Sequence, residues 1–214
     1  MTVKVLLLDD EELVRGGLRM ILESDPGIEV VAEAADGTNV LDLVAAHRPD
    51  VVLTDIQMPR VDGLEVTGRV AALPDGPAVV VLTTFDLDEY VHAALRRGAA
   101  GFLVKDIAPN DLLAAIHVVA GGDAMISPRI TKRLLGEFAN GGAKPGALKR
   151  LAALTPRELE VAVAVGHGLA NAAIAESLRL SESTVKVHIG RVLTKLDAAN
   201  RTQVAIVVHD AELV

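Results

Sequence analysis

The chain has no cysteine and no tryptophan, and only one tyrosine and three phenylalanines among its 214 residues. Without cysteine there are no disulfides and no thiolate metal sites. The shortage of aromatics leaves Ala, Val and Leu to build a core, and half of the residues are hydrophobic, so the core is sizeable. No apolar stretch approaches the roughly 20 residues of a membrane span. The N-terminus runs straight into a strand pattern, with neither a basic n-region nor an apolar h-region, so a cytoplasmic protein with no membrane contact is expected. The six histidines show no metal-ligand spacing. Positive charge is scarce as well, the formal net charge being -8. That deficit is uneven. Residues 1–120 carry 9 Lys+Arg against 20 Asp+Glu, residues 121–150 carry 6 against 2, and residues 151–214 carry 6 against 7. The acidity thus belongs to the first part, and nucleic-acid contact is permitted, though not demanded, for the last.

Residues 1–120 alternate strand-like and helix-like segments. The strands are read at Val3–Leu8, Ile28–Ala34, Val51–Thr54, Ala78–Thr83 and Gly101–Val104, and the helices at Glu12–Ser24, Thr38–His47, Leu64–Leu73, Leu87–Arg97 and Pro109–Ala120. Five βα units in this order predict a doubly wound α/β fold with a five-stranded parallel sheet. The texture changes at Gly121. Residues 121–150 read as a linker holding a short helix, Pro128–Phe138, and a flexible stretch from Asn140 to Gly146. Residues 151–214 predict an all-α domain with helices near Pro156–Val165, Ala172–Leu178, Glu182–Leu196 and Thr202–Asp210, although Val204–Val208 could also be a buried apolar run. Thr155-Pro156-Arg157-Glu158 is a capping box with Pro at the first helical position. Asn171 and Ser181 are the expected caps of the next two helices.

Chemistry gathers at the strand ends. Asp9-Asp10 follow the first strand, Asp55 follows Val51-Val52-Leu53-Thr54, Thr83 ends the fourth strand and Lys105 ends the fifth. A parallel sheet brings these ends to one edge, where open α/β folds place their ligands. Three carboxylates there repel one another unless a cation neutralises them. Oxygen ligands with open positions suit Mg²⁺, and a carboxylate can attack phosphorus to form an acyl phosphate. A lone Asp at a strand end is usually a cap, and a lone Lys a solvated charge; the ordered set is what argues for a site.

Together with Gln57, Met58-Pro59, Asp62-Gly63 and Phe102, this set resembles the receiver domain of bacterial response regulators over residues 3–120. The resemblance implies that Asp55 accepts phosphate from the phosphohistidine of a cognate sensor histidine kinase. It implies Mg²⁺ bound directly by Asp10, Asp55 and the Gln57 carbonyl, with Asp9 acting through water. Lys105 would pair with the phosphoryl group, Thr83 would move to bond it, and Phe102 would be the aromatic switch. Asp106 stands where many relatives have proline. Gln57 and Phe85 should border the path of attacking water.

In the last domain, Val185, Ile189, Val192, Leu193 and Leu196 form an apolar stripe at helical spacing. The other side carries Ser183, Thr184, Val187, Arg191 and Thr194, flanked by Lys186 and Lys195. An exposed valine beside cations suits a thymine methyl, and the cations suit phosphates. With Leu154-Thr155-Pro156-Arg157-Glu158, Ser183 to Ile189 and Asn200-Arg201-Thr202-Gln203, the segment resembles the four-helix helix-turn-helix effector of the LuxR/NarL family. That implies a recognition helix at Glu182–Leu196, DNA contacts from Ser183, Thr184, Lys186, Val187, Arg191 and Lys195, and dimerisation on activation. Promoter half-sites in double-stranded DNA are the implied target and RNA polymerase a further partner. The chain departs from the family at Ala172-Ala173, where charged residues are usual, and at Gly190. His188 is read as packed and hydrogen-bonded at the domain edge, and Lys149 and Arg150 as solvated linker charges. A phosphorylation-controlled transcription regulator follows, rather than an enzyme. Two alternatives stay open: a phospho-dependent protein-binding module, and a haloacid-dehalogenase-like phosphatase, whose Asp-x-Asp motif Asp9-Asp10-Glu11 does not match.

Overall fold

The computed structural model describes residues 2–83, 88–126 and 145–214. The expected linker helix Pro128–Phe138 and Phe85 lie outside the described residues. The chain divides into two compact units, Met1–Ile130 and Thr131–Val214.

In the first unit the strands are β1 (Val3–Leu8), β2 (Ile28–Ala34), β3 (Val51–Asp55), β4 (Ala78–Thr83), β5 (Gly101–Val104) and β6 (Met125–Ile126). They form one parallel sheet in the order β2-β1-β3-β4-β5-β6. The five-stranded sheet is as read from the sequence, with a two-residue sixth strand added at its edge. The helices are α1 (Glu12–Leu22), α2 (Val40–His47), α3 (Gly63–Ala71), α4 (Asp88–Arg96) and α5 (Pro109–Ala120). Val51, Val52 and Leu53 are fully buried, as a central strand covered on both faces requires. One apolar layer joins Val5, Leu7, Leu53, Val80, Leu82 and Leu103 to Leu18 and Leu22 of α1 and Leu112, Ile116 and Val119 of α5.

Register sets the working edge. Leu8 pairs with Thr54, Asp55 with Leu82, and Thr83 with Val104. Asp9 and Lys105 each follow the last residue of their strand, so both reach the same edge as Asp55. Gly63 closes this edge from below. Its amide donates to the Ile56 carbonyl at 2.9 Å, and a Cβ there would lie 1.9 Å from the Asp55 carbonyl oxygen. Only glycine lets α3 begin so close to the strand.

The second unit contains α6 (Pro145–Leu151), α7 (Pro156–Gly166), α8 (Asn171–Leu178), α9 (Glu182–Lys195) and α10 (Arg201–Asp210). The capping box at Thr155 and Glu158 forms with both of its bonds, and Ser181 caps α9 by accepting from the Thr184 amide. Two expectations are not met in this unit, at Asn171 and at Pro145-Gly146. Asn171 does not cap α8; Ala170 holds that place without a side-chain bond, and Asn171 is the first helical residue, buried, accepting from Arg201 at 3.3 Å. The expected helix at Thr202–Asp210 forms as α10, and within it Val204, Val207 and Val208 face the core at helical spacing. Pro145-Gly146 belongs to α6 rather than to a flexible linker, since Pro is pre-organised for a helix start. Val185, Val192 and Leu196 are buried, and Ile189 and Leu193 pack against the same core, so the apolar stripe faces inward. Among the described residues no helix is long and apolar enough to cross a membrane.

Candidate functional site

Carboxylate oxygens of Asp9, Asp10 and Asp55 all lie within 4.8 Å of one another. Asp9 and Asp55 are buried and Asp10 is exposed, so the cluster opens on one side. Lys105 stands between the two buried acids, its ammonium 2.7 Å from Asp9 Oδ2 and 2.9 Å from Asp55 Oδ2. The Asp55 contact is a hydrogen bond. At Asp9 the ammonium is close, but Oδ2 is buried without a hydrogen bond among the described residues. Asp55 Oδ1 accepts from the Ile56 amide at 2.6 Å, and Asp9 Oδ1 from the Glu11 amide at 3.0 Å. Asp55 is therefore held at both oxygens, whereas Asp9 is held by Oδ1 and leaves Oδ2 beside the ammonium.

Burial pushes the Asp55 carboxyl above its ordinary value; the Lys105 hydrogen bond opposes this in part, and the Asp9 charge adds to it. Burial works against the Lys105 charge too, yet the carboxylates of Asp9 and Asp55 beside it outweigh this and hold the ammonium above its ordinary value. Three acids facing one ammonium leave negative charge for a divalent cation to neutralise. An all-oxygen donor set with one open side suits Mg²⁺, and Asp9 Oδ2 accepts no hydrogen bond among the described residues.

Thr83 is buried at the end of β4, and Phe102 is fully buried in β5. Gln57 is exposed in the β3–α3 loop. Two features of this edge were missed in the sequence. Arg15 on α1 donates to the Asp9 carbonyl at 2.7 Å and pairs with Glu33 at 3.2 Å, fixing the end of β1. Arg60 in the β3–α3 loop pairs with buried Asp36, which also accepts from the Thr38 amide at 2.7 Å. The Thr38 side-chain hydrogen bond, then Arg60, hold the Asp36 carboxyl down to about 2. No local pattern marks either arginine, because each partner lies on another element.

In the second unit α9 exposes Ser183, Lys186, Val187 and Arg191, while Thr184 is half-buried. Val187 is 53% exposed. The Ser183 and Thr184 hydroxyls both bond Ser181 Oγ, at 2.8 and 2.7 Å. Lys195 directs its ammonium to Glu158 Oε2 at 2.6 Å instead of leaving it open to a phosphate. Arg150 is not a solvated charge; its guanidinium bonds the carbonyl of Leu196, the C-cap of α9. His188 is half-buried, but among the described residues its Nδ1 has no hydrogen-bond partner, contrary to the expected bonded histidine.

Residues 5–117 match the response regulator receiver domain, and residues 152–208 match the luxR family of bacterial regulatory proteins. The chain belongs to the response regulators with a LuxR-type DNA-binding domain. The regulator is 38% identical over 204 residues to the uncharacterized transcriptional regulatory protein YxjL of Bacillus subtilis, covering 95% of this chain and 94% of that one. It is 35% identical over 210 residues to the nitrate/nitrite response regulator protein NarL of Escherichia coli K12, covering 98% and 96%. Among solved structures it resembles the response regulator ChrA of a heme-sensing two-component system, with TM-score 0.56, 35% identity and coverage of 100% and 99%. The regulator is thus a transcription regulator whose receiver controls a DNA-binding unit.

Two predictions arise here. Lys195, then the Thr155 amide, hold the Glu158 carboxyl down from 4.5 to about 2. A depressed folded-state value contributes stability above the ordinary value and loses it as pH falls through the folded one. Thermal melts should therefore show Glu158→Gln to be the less stable form above pH 4.5 and to converge on wild type as pH approaches about 2. At Gly190, a Cβ would meet nothing within 4 Å, so the fold does not require glycine there. Gly190→Ala should raise stability in urea denaturation by about 0.5–1 kcal/mol.

Proposed function

We propose that Asp55 is the phosphoacceptor of this regulator and that its phosphorylation switches DNA binding by α9. The observation that carries the reading is the Lys105 ammonium held between Asp9 and Asp55 at one sheet edge, with Thr83 at the end of the adjoining strand. An Asp55 carboxylate oxygen attacks the phosphorus of a kinase phosphohistidine, and the P–N bond breaks with its electron pair returning to the imidazole. Lys105 then exchanges its Asp55 contact for a phosphoryl oxygen, and the Thr83 hydroxyl hydrogen-bonds another. Asp9, Asp10, Asp55 and the Gln57 carbonyl are the residues to hold Mg²⁺, which when bound neutralises charge on the phosphoryl oxygens.

Movement of Thr83 toward the phosphoryl group, with Phe102 as the aromatic switch, shifts the receiver between two pre-existing conformers. The active conformer dimerises. Pairing matters because one short helix makes few contacts, and two linked modules gain effective concentration. The two-fold dimer binds promoter half-sites about one helical turn, or a multiple, apart. Ser183, Thr184, Lys186, Val187 and Arg191 face the DNA. The setting is the cytoplasm, with a sensor histidine kinase upstream and RNA polymerase downstream. The receiver's chemistry is confined to gaining and losing its own phosphoryl group.

The test is a titration at fixed salt of a fragment retained in genomic DNA selection. Phosphorylated protein should bind several-fold tighter than Asp55→Asn treated in the same way. Equal affinity would refute phosphocontrol.

A further inference from the structure

The DNA-binding unit ties up much of its positive charge internally. Arg150 bonds the Leu196 carbonyl, and Arg157 bonds the Leu178 carbonyl at 2.7 Å. Lys195 pairs with Glu158 at 2.6 Å, and buried Arg201 donates to the Leu169 carbonyl at 2.5 Å. Two of these cations close helix C-termini, where carbonyls lack intrahelical donors. Among the described residues the side-chain cations left for phosphate contacts are Lys149 on α6, Arg179, Lys186 and Arg191. Lys186 and Arg191 stand on α9 and belong to the reading above. Scaffold helix α8 contributes none, its sequence being Asn-Ala-Ala-Ile-Ala-Glu-Ser-Leu.

Arg179 stands apart from both helices. It lies in the turn between α8 and α9 as the C-cap of α8, with φ 54° and ψ 48°. Gly or Asn adopts this left-handed conformation more readily than a residue with a long side chain. The guanidinium is exposed and makes no hydrogen bond or ion pair with the described residues, so it repays the unit nothing for that strain. Two residues later Ser181 caps α9, whose N-terminal amides favour an anion nearby.

We propose that Arg179 is a DNA-backbone contact, its guanidinium pairing with a phosphate beside the groove that α9 enters. It supplies the charge that Lys195, committed to Glu158, withholds. The proposal rests on α9 being the recognition helix. A phosphate contact positions the module without reading sequence, so its loss weakens binding to all DNA alike.

The experiment uses the full chain treated with acetyl phosphate and Mg²⁺. Wild type, Arg179→Asn and Arg179→Lys are titrated across a salt series on a selected genomic fragment and on a random duplex of equal length. Asparagine suits the left-handed turn, so Arg179→Asn should melt no lower than wild type, and a weakened complex is not a folding defect. Arg179→Asn should lose affinity several-fold on both duplexes, and its slope of log K against log salt should be shallower by about 0.9 per bound protomer. Arg179→Lys should restore the slope. Wild-type affinity and slope in Arg179→Asn overturn the proposal, as does a loss confined to the selected fragment, which would mean base reading. If wild type binds neither duplex, the recognition-helix reading itself fails, and this one with it.

Discussion

Asp55→Asn should take up no phosphoryl group. After incubation with acetyl phosphate and Mg²⁺, the intact mass of wild type should rise by one phosphoryl equivalent while the variant's stays unchanged. The strand order supports the choice of Asp55 over its acidic neighbours in the proposed reading. Its strand, β3, lies between β1, which ends in Asp9-Asp10, and β4, which ends in Thr83. Asp55 alone therefore has the acid pair on one side and the hydroxyl on the other, with the Lys105 ammonium 2.9 Å away. The variant should also fold. Burial and Asp9 already disfavour the Asp55 charge more than Lys105 supports it, so a neutral isostere relieves the site. An Asp55→Asn melting temperature at or above wild type, with no mass gain, is the combined expectation. A mass gain at the wild-type rate would place the acceptor elsewhere.

The second large effect is at Gly63, where nothing titrates. A Cβ there would lie 1.9 Å from the Asp55 carbonyl oxygen and 2.9 Å from Ile56 Cα, both backbone atoms that cannot swing aside. Gly63→Ala must push the start of α3 off the end of β3. That breaks the Gly63 amide bond to Ile56 and disturbs the Asp62 cap, which accepts from Glu65 at 2.7 Å. The expected loss is about 3 kcal/mol or more, beyond ordinary overpacking because backbone must move. Urea denaturation should show it, and any folded fraction should phosphorylate more slowly because the Asp55 peptide is displaced. An unchanged midpoint would contradict the close approach. The contrast with Gly190→Ala is direct: one chemical change, with opposite signs set by what surrounds the new methyl group.

The receiver's architecture was legible because each βα unit announces itself locally, through a short β-branched run and then a helical stripe. The site was legible for the same reason, since parallel strands bring their ends to one edge whatever lies between them. Edge strand β6 was not, because two residues carry no period and their pairing with Gly101 and Phe102 is a tertiary event. Nor were the ends of the long cations. Hydrophobic spacing tells which face of α9 is buried, but it cannot tell that Lys195 reaches Glu158, 37 residues back, or that Arg150 reaches Leu196, 46 residues on. Asn171 misled for a related reason. An Asn before an apolar helix usually caps it, but here a buried Arg201 claims the side chain and draws it into the helix.

The Lys105 bridge gives the receiver's fold a support that does not depend on a bound ion. Because the protein's own ammonium spans Asp9 and Asp55, the acids have a resident counter-charge before any ion arrives. Stripping divalent cations with a chelator should silence phosphoryl uptake and leave the receiver folded. Loss of uptake with an unchanged melting temperature, and recovery of uptake on adding Mg²⁺ back, is the expected result.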